Sequence, residues 1–253
     1  MSEEPIFVKG HMTPDGVERL RKVFAAVLHT LARIEVRGAE NVPPGGVIVS
    51  PNHLSWFDPP LVFMQFPRRK VTVFNADSYR NNLIFSWIMT SVDLIWVARG
   101  AITPSTIKYG IRALKGGSML GVAPEGTRSR THALQQGKTG AVYLAYAAGV
   151  PLVPIAVTNT DKVVSSLKKL RRTTMTITFG EPMYFGSPGV RRPDTEQLEK
   201  DTIEVMCRIA AMLPPEYRGF YANYPRVQEL LQAQPAATAA AALTGTASAS
   251  QTS

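Results

Sequence analysis

The sequence has very little cysteine and no long apolar run without charge. A single cysteine, Cys207, among 253 residues excludes an internal disulfide, so the chain lacks the framework that secreted domains use. No uncharged apolar stretch reaches the ~18 residues that a transmembrane helix requires, because Asp93 interrupts the longest candidate at 83–97. The first residues, MSEEPIF, carry acids where an export signal needs positive charge. We therefore expect a soluble or peripheral cytoplasmic protein without an export signal.

Acidic residues are also scarce relative to basic ones. The chain has 28 lysines and arginines against 19 acids, which gives a net charge of +9. The excess is uneven, since the segment from Arg99 to Lys138 holds seven basic residues and one acid, and a second basic cluster lies at 168–172. Such a balance favours a phosphate-bearing substrate, an acidic lipid surface or a nucleic acid. A nucleic-acid binder is the weakest of these, because no basic helix with interleaved aromatics and no known binding motif is found.

Several catalytic signatures are missing from the chain. It contains no G-x-S-x-G elbow, no His/Cys cluster with metal-ligand spacing and no G-x-x-x-x-G-K-[ST] phosphate loop. We therefore expect no enzyme nucleophile, no metal ion and no cofactor. The chemistry would then be direct attack on a group that is already activated.

Short β-branched or apolar runs alternate with helical patterns along most of the chain. This alternation predicts an α/β fold, with one domain built on a mixed sheet of about seven strands flanked by helices. The expected strands are 34–37, 47–50, 71–74, 94–98, 119–123, 152–157 and 175–179. Helices are expected at 14–33, 139–148 and 194–213, among others.

The two ends of the chain differ from the predicted domain at 34–231. Residues 1–33 include an amphipathic helix, which either lies on a membrane with its cations toward the headgroups or packs on its own domain. Residues 232–253 are rich in Ala, Thr, Ser and Gln and carry no charge. A segment of this composition buries too little surface to offset its chain entropy, so we expect a disordered tail.

The stretch S-P-N-H-L-S-W-F-D-P-P at residues 50–60 places a histidine and an aspartate five residues apart. Neither a regular strand nor a regular helix brings positions with this spacing together, so His53 and Asp58 can meet only across a turn. Two simpler interpretations stay open. Asp58 is also a good N-cap for a helix that begins with Pro59, and a lone histidine after a strand is often no more than a satisfied side chain.

The other candidate residues also follow predicted strands. Arg99 follows the strand at 94–98, and Glu125, Gly126, Thr127 and Arg128 follow the strand at 119–123. Ligands of open α/β sheets collect at the carboxyl ends of the strands, which would place these loops together. A neutral imidazole takes a proton from a hydroxyl at cellular pH, and forked guanidinium groups grip phosphate. This combination predicts a hydroxyl-bearing phosphate ester as the acceptor.

Four blocks of the sequence, in order and in register, resemble one family. N-H-L-S-W-F-D at 52–58, I-W-V-A-R at 95–99, P-E-G-T-R-S at 124–129 and V-P-I-A at 153–156 are similar to the motifs of the H-x4-D glycerolipid acyltransferases. This is the 1-acylglycerol-3-phosphate, or lysophosphatidic acid, acyltransferase family. The resemblance covers roughly residues 33–182.

The resemblance implies that a fatty acyl group passes from acyl-CoA or acyl carrier protein to a glycerol hydroxyl in phospholipid synthesis. It implies that His53 is the general base and Asp58 its partner, without a covalent enzyme intermediate. The acceptor phosphate would be bound by Arg99, Glu125, Gly126, Thr127 and Arg128. We expect the enzyme at the inner face of the cell membrane, as a peripheral protein on an anionic lipid surface, and no nucleic-acid partner.

Two alternatives stay open within this interpretation. The first is an acyltransferase whose acceptor is glycerol 3-phosphate or another lyso-lipid in place of lysophosphatidic acid. The second is a lipid-binding module without catalysis, although such a module does not require the set His53, Asp58, Glu125 and Arg128.

Overall fold

The computed structural model describes residues 7–76, 86–88, 90–97, 103–186 and 193–233. Arg99 and all but the first two residues of the predicted tail at 232–253 lie outside these ranges. The described chain forms one mixed sheet with helices on both faces, which confirms the predicted α/β class.

Eight strands make up the sheet within the described residues. All seven predicted strands are present, with ends shifted by one or two residues. The eighth is a two-residue strand near the N-terminus that the sequence pattern did not predict, because two residues carry no readable periodicity. The strands are β1 (Phe7–Val8), β2 (Arg33–Arg37), β3 (Val47–Pro51), β4 (Val71–Ala76), β5 (Asp93–Val97), β6 (Met119–Gly121), β7 (Leu152–Thr158) and β8 (Thr174–Phe179).

The strand order is β1-β5-β4-β6-β3-β7-β8-β2. The five strands from β5 to β7 are parallel, while β1 is antiparallel to β5 and β8 is antiparallel to β7. All seven residues of β7 are buried, as expected for a central strand covered on both faces. The parallel arrangement brings the carboxyl ends of β3, β6 and β7 to one edge of the sheet, which we call the carboxyl edge.

The helices divide between the two faces of the sheet. In the described ranges they are α1 (Pro14–Leu31), α2 (Asp58–Phe63), α3 (Pro104–Lys115), α4 (Gly140–Ala148), α5 (Val163–Lys168) and α6 (Thr195–Met212), and a further helix covers 225–233. One apolar core lies under α1, α2 and α5, and the other lies under α3, α4 and α6. No helix of the described ranges is both long and apolar enough to cross a bilayer.

The N-terminal helix α1 begins where the sequence suggests, and one of its faces packs on the domain. Thr13 caps it by accepting a hydrogen bond from the Gly16 N–H, and proline follows at the first helical position. Leu28 is only 2 % exposed, and the Phe24 ring lies edge-on to Phe63 of α2 at 6.2 Å between centroids. Val23 and Val27 lie on the adjoining side of the helix and are exposed. The helix thus belongs to the domain through one face and is free on the other.

Candidate active site

His53 and Asp58 are in contact across the turn between β3 and α2. The His53 Nδ1 atom lies 2.8 Å from the Asp58 Oδ2 atom, while the aspartate is almost fully buried and the histidine side chain is 27 % exposed. A bond to Nδ1 leaves Nε2 as the ring nitrogen that can accept a proton from a ligand. His53 and Asp58 therefore meet across a turn, as their five-residue spacing predicts for a cooperating pair.

The Asp58 carboxylate receives several further hydrogen bonds. Its Oδ2 accepts the backbone N–H groups of Leu54 at 2.6 Å and Ser55 at 2.7 Å. Its Oδ1 accepts the Thr160 hydroxyl at 2.5 Å, and Thr160 is itself buried. A buried carboxylate is tolerated in a fold only when its oxygens are paired in this way.

These partners correct the expected N-cap. The helix begins at Asp58 itself, Phe57 is the residue at the cap position, and no side chain caps this end. Pro59 and Pro60 have no N–H to offer, and the Leu61 N–H donates to the Phe57 carbonyl. The interpretation of Asp58 as a helix cap alone is therefore wrong, because its carboxylate points back toward the turn.

Glu125 connects the turn to the loop that follows β6. It is 2 % exposed, its Oε1 accepts the His53 N–H at 3.0 Å, and its Oε2 accepts the Gln135 N–H at 2.9 Å. Burial raises the pKa of the Glu125 carboxyl, against the effect of the two backbone hydrogen bonds. Each oxygen of Glu125 accepts a backbone N–H, so the side chain ties the backbone of His53 to that of Gln135.

Asn52 fixes the same turn to the central strand. Its Oδ1 accepts the Val157 N–H at 2.7 Å, and its Nδ2 donates to the Val157 carbonyl at 3.0 Å. The side chain thus replaces the backbone pairing that β7 would otherwise make at this point. Ser129 adds a third support, because its N–H donates to the His53 carbonyl at 2.9 Å. The histidine is held on both sides through its own backbone.

Sequence reasoning missed the roles of Asn52 and Thr160. Asn52 stands next to the histidine, and an amide at a strand exit is a signal that its side chain bonds to neighbouring backbone. Thr160 carries no such signal, because it is 102 positions away from the aspartate it contacts. Only the pairing of β3 with β7 brings the two together.

The loop at 124–128 brings cationic groups close to the pair. Gly126 has φ +71°, a left-handed conformation that favours glycine, and a Cβ atom built there would lie 3.0 Å from the Lys138 Nζ atom. The Arg128 guanidinium carbon lies 4.5 Å from the centroid of the Trp56 ring, within reach of a cation–π interaction. Gly126 and Thr127 are exposed. Arg99, the remaining predicted phosphate ligand, lies outside the described residues.

An open cleft of about 340 Å³ lies beside the pair. Its lining residues come from three loops at the carboxyl edge: Leu54, Ser55, Trp56, Arg128, Ser129, Arg130, His132 and Asp161. Arg128 and Arg130 line this depression, and Leu54 next to the partly exposed His53 forms part of its wall. Such a site can remove a proton from a ligand hydroxyl while holding an anionic group nearby.

Comparison with known proteins identifies similar chains. The family model described as Acyltransferase matches residues 33–158. The chain is 27 % identical over 164 residues to a probable 1-acyl-sn-glycerol-3-phosphate acyltransferase of Mycoplasma pneumoniae, covering 61 % of each chain. It is 29 % identical over 160 residues to the 1-acyl-sn-glycerol-3-phosphate acyltransferase of Bacillus subtilis, covering 62 % of this chain and 77 % of that one. The chain thus spans under two thirds of the length of the Mycoplasma relative.

A solved structure is similar as well. The crystal structure of the 1-acyl-sn-glycerophosphate (LPA) acyltransferase PlsC from Thermotoga maritima superposes with a TM-score of 0.56 at 22 % identity. The match covers 75 % of this chain and 79 % of that one. At this level of identity the similarity concerns the fold.

Proposed function

Because this chain belongs to the glycerolipid acyltransferase family, we propose that it moves a fatty acyl group from acyl-CoA or acyl carrier protein to the free hydroxyl of lysophosphatidic acid. The observation that carries the proposal is the 2.8 Å contact between His53 Nδ1 and Asp58 Oδ2, which leaves Nε2 to accept a proton, next to a cleft whose wall begins at Leu54. The donor thioester is already activated, which agrees with the lack of a recognised nucleophile motif.

The proposed reaction is a direct acyl transfer. His53 Nε2 takes the proton from the acceptor hydroxyl as the oxygen attacks the thioester carbonyl. The tetrahedral intermediate then expels the thiolate, which recovers the proton from the imidazolium. Asp58 holds the Nδ1 tautomer and stabilises the imidazolium while it exists. No acyl group is attached to the protein at any stage.

The cations of the 124–138 region are proposed to bind the acceptor phosphate. Arg128 offers a fork of N–H donors, Thr127 a hydroxyl and Gly126 an open backbone, and Lys138 lies close enough to add charge. We assign Glu125 a positioning role in place of the expected phosphate contact, because its two oxygens already accept backbone N–H groups. Arg99 stays a candidate phosphate ligand from the sequence alone.

Two alternatives are less well supported. Glycerol 3-phosphate or another lyso-lipid would satisfy the same phosphate site, but the named relatives act on 1-acyl-sn-glycerol-3-phosphate, which favours the lyso-lipid. A non-catalytic lipid-binding module gains nothing from burying Asp58 beside an exposed histidine. A peripheral position at the inner face of the cell membrane is proposed on the net charge of +9.

The test is an assay of the purified chain with acyl-CoA, acyl carrier protein and a panel of acceptors, with products identified by mass spectrometry. We expect transfer to lysophosphatidic acid, its loss in His53→Ala and severe slowing in Asp58→Asn, while each variant remains folded. His29→Ala, an exposed histidine of α1, is the matched control and should be fully active. Turnover of His53→Ala above about a tenth of the unmodified protein would remove the histidine from the catalytic role.

Arg128→Ala supplies a second arm of the same assay. A hydrogen bond to a charged group contributes ~1.5–3 kcal/mol, so kcat/KM for lysophosphatidic acid should fall roughly ten- to a hundredfold. Hydrolysis of acyl-CoA by water needs the base and no phosphate site, so it should be spared. An equal loss of both reactions would assign Arg128 to the donor or to the fold.

A further inference from the structure

The connection between α5 and β8 exposes a leucine among four cations. We call residues 168–172, K-K-L-R-R, the basic loop. Leu170 is 97 % exposed, more than any other large apolar side chain in the described part of the chain. All four flanking lysines and arginines are exposed too. Single exposed apolar side chains are common on protein surfaces. An exposed leucine surrounded by cations, however, can contact an apolar phase while the cations bind anions.

The backbone holds this leucine outward in a strained conformation. Leu170 has φ +54°, in the left-handed region that glycine adopts without cost and that a leucine adopts at a penalty. The turn is closed by hydrogen bonds, since the Leu170 N–H donates to the Leu167 carbonyl and the Arg171 N–H donates to Ser166. Val163 and Leu167 anchor the preceding helix in the core. Folding alone would be better served by glycine at this position.

The basic loop lies at the same edge of the sheet as the active site. Strand β8 begins where β7 ends, because Thr176 pairs with Thr158 in the antiparallel ladder. The carboxyl end of β7 is in turn beside the end of β3, where Pro51 pairs with Ile155 just before His53. The loop that enters β8 is therefore on the carboxyl edge, together with the catalytic pair.

The basic loop is also tied to the end of α1. The Arg172 Nη2 atom donates to the His29 carbonyl and to the Ala32 carbonyl, both at the C-terminal end of that helix. The free face of α1 carries Val23 and Val27, which are 55 % and 47 % exposed, together with Lys22. Of these, Val27 lies in the last two turns of α1, the part of the helix that the basic loop contacts.

We propose that the basic loop docks on an anionic lipid bilayer, with Leu170 entering the apolar layer and the lysines and arginines binding headgroup phosphates. The occupant is argued from this pairing of charges with an exposed leucine, since a nucleic acid would use the cations and leave the leucine in water. Docking there turns the carboxyl edge, and hence the cleft, toward the layer that holds a lyso-lipid acceptor. The inference rests on the proposed function for that acceptor.

Leu170→Gly is the sharpest test, because it removes the side chain and relieves the backbone. The full chain is sedimented with vesicles of phosphatidylcholine alone or mixed with phosphatidylglycerol. We expect the glycine variant to keep or raise the melting temperature while it binds the mixed vesicles several-fold more weakly. The double variant Lys168→Glu/Lys169→Glu should weaken binding roughly tenfold or more, since each cation near the surface contributes substantially.

Matched controls are available at the opposite edge of the sheet. Arg112 and Lys115 are exposed at the C-terminal end of α3, just before β6 begins. Tyr184 is 72 % exposed next to Met183, which pairs with the first residue of β7. Arg112→Glu/Lys115→Glu changes net charge as the test pair does, and Tyr184→Gly removes an exposed apolar side chain. Both controls should reduce vesicle binding far less than their counterparts.

The outcomes separate docking from catalysis. Transfer to a short-chain lysophosphatidic acid in free solution should be equal in all these variants, whereas transfer to vesicle-embedded acceptor should fall with vesicle binding. Unchanged vesicle binding in Leu170→Gly and in the lysine pair would overturn the proposal, as would equal losses in the controls or tighter binding to duplex DNA than to mixed vesicles. If the unmodified chain binds vesicles through this loop but transfers no acyl group, the proposed function fails and the docking surface stands.

Discussion

At the scale of single residues, the carboxylate of Asp58 is the centre of the site. It is 2 % exposed and accepts hydrogen bonds from an imidazole, two backbone N–H groups and a threonine hydroxyl. An ion removed from water is stable only if such partners replace its hydration. The same partners fix its orientation, so Asp58 can hold the His53 ring through Nδ1.

The sequence predicted one of these contacts for a physical reason. Five residues and a following Pro-Pro define a turn, and a turn is local enough to be derived from spacing and chemistry. Thr160 could not be found in this way, because its distance from Asp58 is set by the order of the strands. Glu125 was found as a residue, but its two backbone contacts were not predicted, since sequence does not tell which way a carboxylate in a loop faces.

Thr160→Val tests whether this hydroxyl positions the aspartate. Valine keeps the shape and leaves Asp58 Oδ1 with only the Ser55 hydroxyl at 3.5 Å. An unsatisfied buried acceptor costs about 1–3 kcal/mol. If about half of that cost appears in the barrier, kcat should fall roughly two- to tenfold. KM for the acceptor should change little, because Thr160 is buried away from the cleft.

Thr160→Ser is the matched variant, because it retains the hydroxyl and should restore most of kcat. Steady-state kinetics and the melting temperature are measured on the same samples. A valine variant that melts earlier but turns over at the normal rate would limit Thr160 to a structural role.

At the scale of secondary-structure elements, local patterns were most successful for the buried strands. The runs that form β3 and β7 are apolar and β-branched, and their ends agree with prediction within one residue. The strand β6 ends at Gly121, two residues before the predicted end, and the Val122 N–H still donates to the Val49 carbonyl. Boundaries of this kind depend on where the neighbouring strand ends.

The C-terminal helix at 225–233 is joined to α6 by an ionic contact. Glu204 accepts from Arg208 Nε at 2.8 Å and from Arg226 Nε at 2.7 Å, and Arg226 also reaches Glu229 at 2.9 Å. Hydrogen bonds from Arg226 and then Arg208 lower the pKa of Glu204. Because the pKa of Glu204 is lower in the folded chain than its ordinary value of 4.5, the ionised carboxylate stabilises the fold fully at pH values above 4.5. This stabilisation is lost as the pH falls through the pKa of Glu204 in the folded chain.

We therefore expect acidification below about pH 4.5 to weaken the attachment of this helix. Glu204→Gln should weaken it at neutral pH by about 1 kcal/mol or less, because Arg226 is 41 % exposed and solvent screens the pair. The difference in melting temperature between the unmodified chain and this variant should shrink as pH falls. Glu199→Gln on the exposed face of α6 is the control. A difference that is independent of pH would contradict the ionic account.

At the scale of the whole molecule, the strand order could not be read from the sequence. Strand β2 precedes β3 in the chain but lies at the far edge of the sheet, where it pairs with β8. Alternation of strands and helices predicts the class of fold and a carboxyl edge that gathers loops. It does not predict which late strand pairs with which early strand. The positions of Thr160 and of the basic loop relative to His53 both depend on that pairing.

The N-terminal segment is part of the same packed core. For the amphipathic helix of residues 1–33, the sequence left open whether it lies on a membrane or packs on the domain, and Leu28 and Ala32 are buried in the core under α1 and α2. Deleting the segment would expose that core and remove the first residue of β2. We expect the deletion variant to melt far earlier than the full chain or to remain unfolded, so it cannot report on membrane contact alone.

A matched pair of point variants separates the two faces of α1. Leu28→Ala removes a fully buried side chain and should lower the free energy of unfolding by about 2–5 kcal/mol. Val27→Ala, at a position 47 % exposed on the adjoining solvent face, should change it by about 0.5 kcal/mol or less while weakening vesicle binding. Urea denaturation measures the first quantity and vesicle sedimentation the second. If the deletion variant keeps the melting temperature of the full chain, or Leu28→Ala is as stable as Val27→Ala, then α1 is separable from the domain and its burial contributes little.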